Sequence, residues 1–240
     1  MGYNERIDKI LSSCGIMSRS QARRAAREGR ISLDGVIVRT TDIRVTENNL
    51  LELDGTRVIY KRFIYLMMNK PQGYVCSTDE PGSHTVLELL EPPYSSIKLF
   101  PAGRLDKDTT GFVLLTNDGD AAHSLLSPMR HVEKTYTFTA QPPLTEETAE
   151  ILRNGVELAD GTVTKKCAIT LNENGGIITI TEGKYHQIKR MVATVGSRIT
   201  SLHRSGFGVL RLDPQLRPGD YRSLTEQEKT MLLSSIGRTE

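Results

Sequence analysis

The chain has 240 residues, 38% of them hydrophobic, and 31 Lys and Arg against 29 Asp and Glu give a formal net charge of +2. That length and apolar content suit a folded chain with a substantial core rather than a disordered one. The longest apolar runs, such as Phe63 to Met68, are far too short to span a bilayer, and the opening "MGYNERIDKILSS" lacks the apolar stretch of a signal peptide, so a cytoplasmic location with no membrane attachment is expected.

Ile7, Ile10, Leu11 and Cys14 recur at i, i+3, i+4 and i+7, which predicts a short amphipathic helix over 5–14 that Gly15 stops. Ser18 with Gln21 three residues on is a capping-box signature, and Ala22, Ala25 and Ala26 give the second helix a thin buried stripe before Gly29 ends it. Asp34-Gly35 and Asp54-Gly55 each stand between β-prone residues and predict two hairpins. Beyond Lys61-Arg62 longer strand-like runs appear: 63–68, 111–116, 134–140, 163–171 and 177–182. Helices are expected at about 84–90, 120–126, 145–154, 186–195 and 225–236. The fold class is therefore α+β: a small helix-hairpin module over 1–60 and a larger domain over 63–240 with a mostly antiparallel mixed sheet.

Charge is unevenly spread. Residues 1–62 hold 12 Lys and Arg against 8 Asp and Glu, and 19–30 hold five arginines, Arg19, Arg23, Arg24, Arg27 and Arg30, against one acid, Glu28. Arg23, Arg24 and Arg27 lie off the alanine stripe and face outward. Guanidinium groups beside a helix N-terminus suit a polyanionic, phosphate-bearing partner, because they bind phosphate with two parallel hydrogen bonds.

The order helix, "SRSQARRAAREGRISLDGVIV", hairpin resembles the S4-type RNA-binding domain over roughly 5–50. Arg27 departs from that pattern, standing where an apolar residue is usual. Downstream, "NKPQGYVCST" (69–78), "GRLDKDTTGFVLLTNDGD" (103–120), "EKTY" (133–136) and "EGKYHQIKRM" (182–191) follow in order, and together they resemble the ribosomal RNA pseudouridine synthases. G-R-L-D-x-x-T-x-G is the most specific element. The first and last of these motifs resemble the branch that acts on small-subunit (16S) rRNA. Large-subunit rRNA and a non-enzymatic S4-domain assembly factor are the alternatives.

The resemblance implies the isomerisation of a uridine, in which an N-glycosidic bond is broken and the base rejoined through carbon without redox change. It carries the nucleophile onto Asp106, an aspartate able to attack either the ring or the ribose. It carries the basic partner that keeps this carboxylate ionised onto Lys189, and base stacking with acid or base duty onto Tyr136. Arg104 is the residue expected to hold the flipped nucleotide, and Lys70, with Pro71 and Gly73, to shape the pocket floor on the substrate side. The alternative for Arg104 is an ordinary ion pair with Asp106 or Asp108.

Cys14, Cys76 and Cys167 form no C-x-x-C pair and read as isolated buried thiols. His84, His123, His131, His186 and His203 are too dispersed for metal ligation and are assigned structural or RNA-contact roles. No cofactor and no metal are expected, and the partner is ribosomal RNA or a ribosomal assembly intermediate, bound by a monomer.

Overall fold

The computed structural model describes residues 3–238. Its contacts divide the chain into two compact units, one running to Ile64 and including Leu87–Leu99, the other comprising Tyr65–Val86 and the chain from Phe100 onward.

In the first unit β1 (Asn4–Arg6) leads into α1 (Ile7–Ser13), followed by α2 (Arg19–Arg27), β2 (Ile31–Leu33), β3 (Val36–Ile37), β4 (Arg44–Thr46), β5 (Leu51–Leu53) and β6 (Thr56–Arg57). The capping box forms as expected: Ser18 accepts from the Gln21 amide while the Gln21 side chain accepts from the Ser18 amide. Ala22, Ala25 and Ala26 pack against Ile7, Ile10 and Leu11 in a core closed by Ile31, Val45 and Leu51. Both hairpins form, β2 with β3 and β5 with β6, in a four-stranded sheet of order β3-β2-β5-β6. Asp34 and Gly35, like Asp54 and Gly55, all take positive φ, the conformation that two-residue hairpin turns require.

The second unit is built on a nine-stranded sheet. Its elements in chain order are β7 (Tyr65–Lys70), β8 (Phe100–Pro101), β9 (Thr110–Thr116), α3 (Gly119–Leu126), β10 (Lys134–Gln141), α4 (Glu146–Arg153), β11 (Ala168–Asn172), β12 (Gly175–Ile180), α5 (Gln187–Thr194), β13 (Arg198–Phe207), β14 (Leu210–Arg211), β15 (Tyr221–Ser223) and α6 (Glu226–Ser235). The sheet runs β11-β12-β10-β13-β9-β7-β15, with β14 on β13 and β8 on β9. Only β13 and β9 pair in parallel, so the sheet is mixed and mostly antiparallel, as expected. All of β7 and nearly all of β9 are buried, which is why they read as unbroken apolar runs.

Several expected elements move. The helix expected at 84–90 is a single 3₁₀ turn, Val86–Leu89, because Pro92 and Pro93 supply no amide hydrogens to extend it. The strand expected at 163–171 forms only over β11. Val163 is exposed and makes an isolated bridge to Glu157, and the Thr164 hydroxyl is spent on the Val156 carbonyl. β13, central to the sheet, was not expected. Its buried positions are Leu202, Arg204, Gly206 and Phe207, an alternation that hides a cation and a glycine where apolar side chains would announce a strand. Of the cysteines only Cys76 is buried, while Cys14 and Cys167 are half-buried.

Candidate active site

The polar loop 103–109 enters β9, and the glycines of its motif are dictated by backbone geometry. Gly103 and Gly111 have positive φ, and a Cβ on Gly111 would collide with the backbone of Arg204 where β9 meets β13. Lys70, opposite Gly111 in the β7–β9 ladder, is fully buried. Its Nζ donates to the carbonyls of Thr109 at 2.7 Å, Pro71 at 3.1 Å and Lys107 at 3.3 Å. The Gly73 amide also donates to the Lys107 carbonyl, at 2.8 Å, and the Thr109 amide to the Asp106 carbonyl, at 3.1 Å. The loop carrying Asp106 is thus held from beneath by one ammonium whose pKa is pulled down by burial. Lys70 does not line the cleft and stands behind the loop.

On the facing side, "EGKYHQ" is a built turn. The buried Gln187 side chain donates to Glu182 at 2.6 Å and accepts from the Lys184 amide at 3.0 Å, while Glu182 also accepts from the Lys165 amide at 2.9 Å. His186 takes a left-handed conformation at the start of α5. This sets Lys189, in the first turn of α5, with its Nζ 2.8 Å from Asp106 Oδ2 and 2.6 Å from Asp108 Oδ1. His186 Nε2 lies 3.5 Å from Asp106 Oδ1. The hydrogen bond from Lys189 holds the Asp108 carboxyl below the usual carboxylate range. For Lys189 burial pulls downward, but its bonds to both carboxylates outweigh that and leave its pKa raised.

Asp106, Lys189, Arg104 and Tyr136 line one cleft of ≈ 520 Å³, within the range of small-molecule sites. Tyr136 projects from β10 and is nearly buried. Arg104 is exposed on the cleft wall and has no ion pair among the described residues, so the partner of both aspartates is Lys189 rather than Arg104. Arg19, Arg23, Arg24, Arg27 and Arg30 belong to the first unit and are exposed. Arg24 pairs with Glu28 at 2.7 Å, Arg30 with Asp54 at 2.6 Å, and Arg23 approaches Asp8 at 3.6 Å. The sequence reading missed Asp108 as a second acceptor for Lys189, His186 beside Asp106, and Thr109, Lys134 and Arg204 in the cleft wall. Asp108 and Thr109 lie inside the quoted motif; for Arg204 no local signal existed. No group of three or more His, Cys, Asp or Glu side chains suited to a metal occurs among the described residues, and no helix among them is long and apolar enough to cross a membrane.

A carboxylate paired with a cation in a half-enclosed cleft can act as a nucleophile on a small ring or sugar, and a cationic wall favours a polyanionic substrate. Two family models match: RNA pseudouridylate synthase over 64–194 and S4 domain over 5–51. The chain is 43% identical over 233 residues to the uncharacterized RNA pseudouridine synthase YtzG of Bacillus subtilis, covering 95% of this chain and 98% of that protein. It is also 43% identical to ribosomal small subunit pseudouridine synthase A of Yersinia pestis, over 97% of this chain and 98% of the relative. The same identity holds for the Escherichia coli protein of that name, over 93% of this chain and 97% of the relative. Among solved structures, a crystal structure of pseudouridylate synthase superposes with a TM-score of 0.68 at 36% identity, covering 95% of this chain and 99% of the other.

Proposed function

Because the chain belongs to the RNA pseudouridine synthases and carries an N-terminal S4 domain, we propose that it isomerises one uridine of small-subunit (16S) ribosomal RNA to pseudouridine, with Asp106 as nucleophile. It is an enzyme of that family, not a non-catalytic S4-domain binder. The observation that carries the nucleophile assignment is the Asp106–Lys189 contact of 2.8 Å in a cleft shared with Tyr136.

The reaction breaks the bond between N1 and C1′, forms one between C5 and C1′, moves a proton off C5 and returns one to N1. Nothing is oxidised, so no cofactor is needed. Asp106 either displaces N1 from C1′ and is expelled when C5 attacks C1′, or adds to C6 of the ring and is eliminated after C5 has bonded to C1′ and lost its proton; Lys189 pairs with the carboxylate before attack and receives it on departure. Tyr136 stacks on the uracil and its hydroxyl carries a proton during the transfer. Arg104 holds the backbone of the flipped nucleotide from the rim, offsetting part of the few kcal/mol that unstacking costs. Residues 1–60 anchor the rRNA through Arg19, Arg23, Arg24, Arg27 and Arg30, and residues 63–240 catalyse. One chain supplies every proposed group, so the enzyme works as a monomer, in the cytoplasm where its rRNA is assembled.

The test compares initial rates on free small-subunit rRNA, its ribonucleoprotein particle, large-subunit rRNA and a short oligonucleotide with the same local sequence, with products mapped by carbodiimide-dependent reverse-transcription stops. Modification of small-subunit RNA, fastest when the RNA is folded, is expected, because a pocket that reads one uracil leaves site choice to RNA shape. Activity confined to large-subunit rRNA overturns the substrate assignment.

A further inference from the structure

Three buried side-chain polar atoms lack a hydrogen-bond partner among the described residues: Asn69 Oδ1, Thr109 Oγ1 and Arg204 Nη2. Two of the three, Thr109 and Arg204, line the Asp106 cleft. A buried donor left unsatisfied costs about 1–3 kcal/mol, and such groups are kept where a ligand completes them.

Arg204 is 1% exposed on β13. It stands opposite Tyr136 in the β10–β13 ladder and beside Gly111 of β9. Its Nε donates to the Phe112 carbonyl at 2.7 Å, and its guanidinium carbon lies 5.1 Å from the centroid of the Phe207 ring, so the fork is fixed on two sides with Nη2 left over. No carboxylate pairs with Arg204 among the described residues, whereas Lys189 in the same cleft is shared by two. Lys134, which donates to the Val132 carbonyl and lies 5.9 Å from the same Phe207 ring, adds a second cation with no acid partner among the described residues. Besides exposed groups of the rim such as Arg104, the positive charge of the cleft without an acid partner among the described residues therefore sits on the buried wall that carries Tyr136.

Uracil presents two carbonyl oxygens flanking an N3–H. When the bond between N1 and C1′ breaks, its electron pair passes to the ring and spreads over both oxygens; addition of a carboxylate at C6 instead puts charge on C5 and on the C4 carbonyl oxygen. A fixed donor with no acid partner suits a developing oxyanion of this kind.

We propose that Arg204 and Thr109 are the polar contacts to the target uracil, the Arg204 Nη2–H donating to the carbonyl oxygen that becomes negative as the glycosidic bond opens and the Thr109 hydroxyl bonding the same edge. The proposal rests on the pseudouridine synthase reading above. The pair that reaches the ring leaves it again as C5 bonds to C1′, so the charge on Arg204's partner is transient and the proton count is unchanged.

Thr109→Val is the decisive variant, because it is nearly isosteric and removes a hydroxyl that has no partner among the described residues. Its melting temperature is expected to equal or exceed that of the unaltered enzyme, while the single-turnover rate on small-subunit rRNA falls about tenfold. Arg204→Lys, which keeps the charge and loses the fork, is expected to lower that rate about a hundredfold with the salt slope of RNA binding unchanged. Unaltered rates in both variants, with the unaltered enzyme active, overturn the inference while leaving the proposed function standing. So does a flattened salt slope at normal rate, which assigns Arg204 to a phosphate, or a lowered melting temperature for Thr109→Val, which gives the hydroxyl a partner within the protein. An unaltered enzyme that forms no pseudouridine in any rRNA overturns the function itself. Should Arg204→Lys not fold, Thr109→Val decides alone.

Discussion

Lys189 Nζ lies between two carboxylates, 2.8 Å from Asp106 and 2.6 Å from Asp108, so one ammonium is shared by both acids of the loop. Asp106→Asn keeps shape and loses the nucleophile; turnover is expected to fall by ~10³ or more with RNA binding intact, read by single-turnover assay and filter binding. Lys189→Met leaves two like charges close together and is expected to lower kcat without raising the Kd for RNA. The pH limits follow from the two resolved shifts. Asp108 lies below the usual range, so its contribution is present above about pH 4 and fades as pH falls through the lowered value; Lys189 is raised, so its contribution is full below about pH 10 and fades above. A pH–stability profile that declines between pH 5 and 9 in the unaltered enzyme but not in Lys189→Met would contradict this.

Lys70 makes the second prediction. Its buried ammonium donates to two carbonyls of the loop that presents Asp106, those of Lys107 and Thr109, and to that of the adjacent Pro71. Lys70→Met strands the Pro71 and Thr109 carbonyls and leaves that of Lys107 to the Gly73 amide alone, and a stability loss of about 2–4 kcal/mol is expected in urea unfolding, together with a lower kcat from a loosened loop. The salt dependence of RNA binding should stay as it was. A flatter slope at unchanged stability would return Lys70 to the substrate side, on the pocket floor with Pro71 and Gly73.

Much of this site was readable before the structure, and the boundary has a physical cause. Asp106, Lys189 and Tyr136 lie in short motifs whose order along the chain is informative, and the sheet brings all three to one cleft. The hairpin turns and the α2 cap were also legible, because each depends on two or three neighbouring residues. Lys70 and Arg204 were not. Whether a cation is exposed or holds buried carbonyls is decided by strands far away in sequence, here β9 for both, and a single strand's alternation carries no mark of it. The same limit hid β13, whose burial follows from having neighbours on both sides.

Arg222 and Glu228 supply a stability test away from the cleft. Arg222 donates to both Glu228 oxygens at 2.8 Å, and this holds the Glu228 carboxyl at about 2. A depressed carboxylate stabilises above its unfolded pKa and loses that contribution as pH falls through the folded value, here from about 4.5 toward 2. Glu228→Gln is expected to cost about 1–2 kcal/mol at pH 7, and the difference from the unaltered protein should shrink between pH 4.5 and 3. Urea midpoints at the three pH values check it; a difference constant with pH would reduce Glu228 to its cap on the Thr225 amide.

The last prediction separates the arginines of the first unit by their partners. Arg24 and Arg30 are already bonded to Glu28 and Asp54, and Arg23 approaches Asp8, whereas no acidic side chain pairs with Arg19 or Arg27 among the described residues. A guanidinium neutralised by its own protein takes up less of the counterion atmosphere, so it displaces fewer ions when RNA binds. Each unneutralised arginine that meets a phosphate contributes about 0.7–0.9 to the slope of log affinity against log salt. Arg19→Ala with Arg27→Ala is therefore expected to weaken binding at low salt and flatten that slope by about 1.4–1.8, more than Arg24→Ala with Arg30→Ala. The second pair also frees Glu28 and Asp54 beside the RNA, so its affinity should fall at low salt by repulsion even where its slope changes little. Filter binding of folded small-subunit rRNA across a salt series measures both terms. Equal slopes for the two double variants would show that the protein's own ion pairs open on binding, and unchanged slopes in both would make the cluster a solvated helix face.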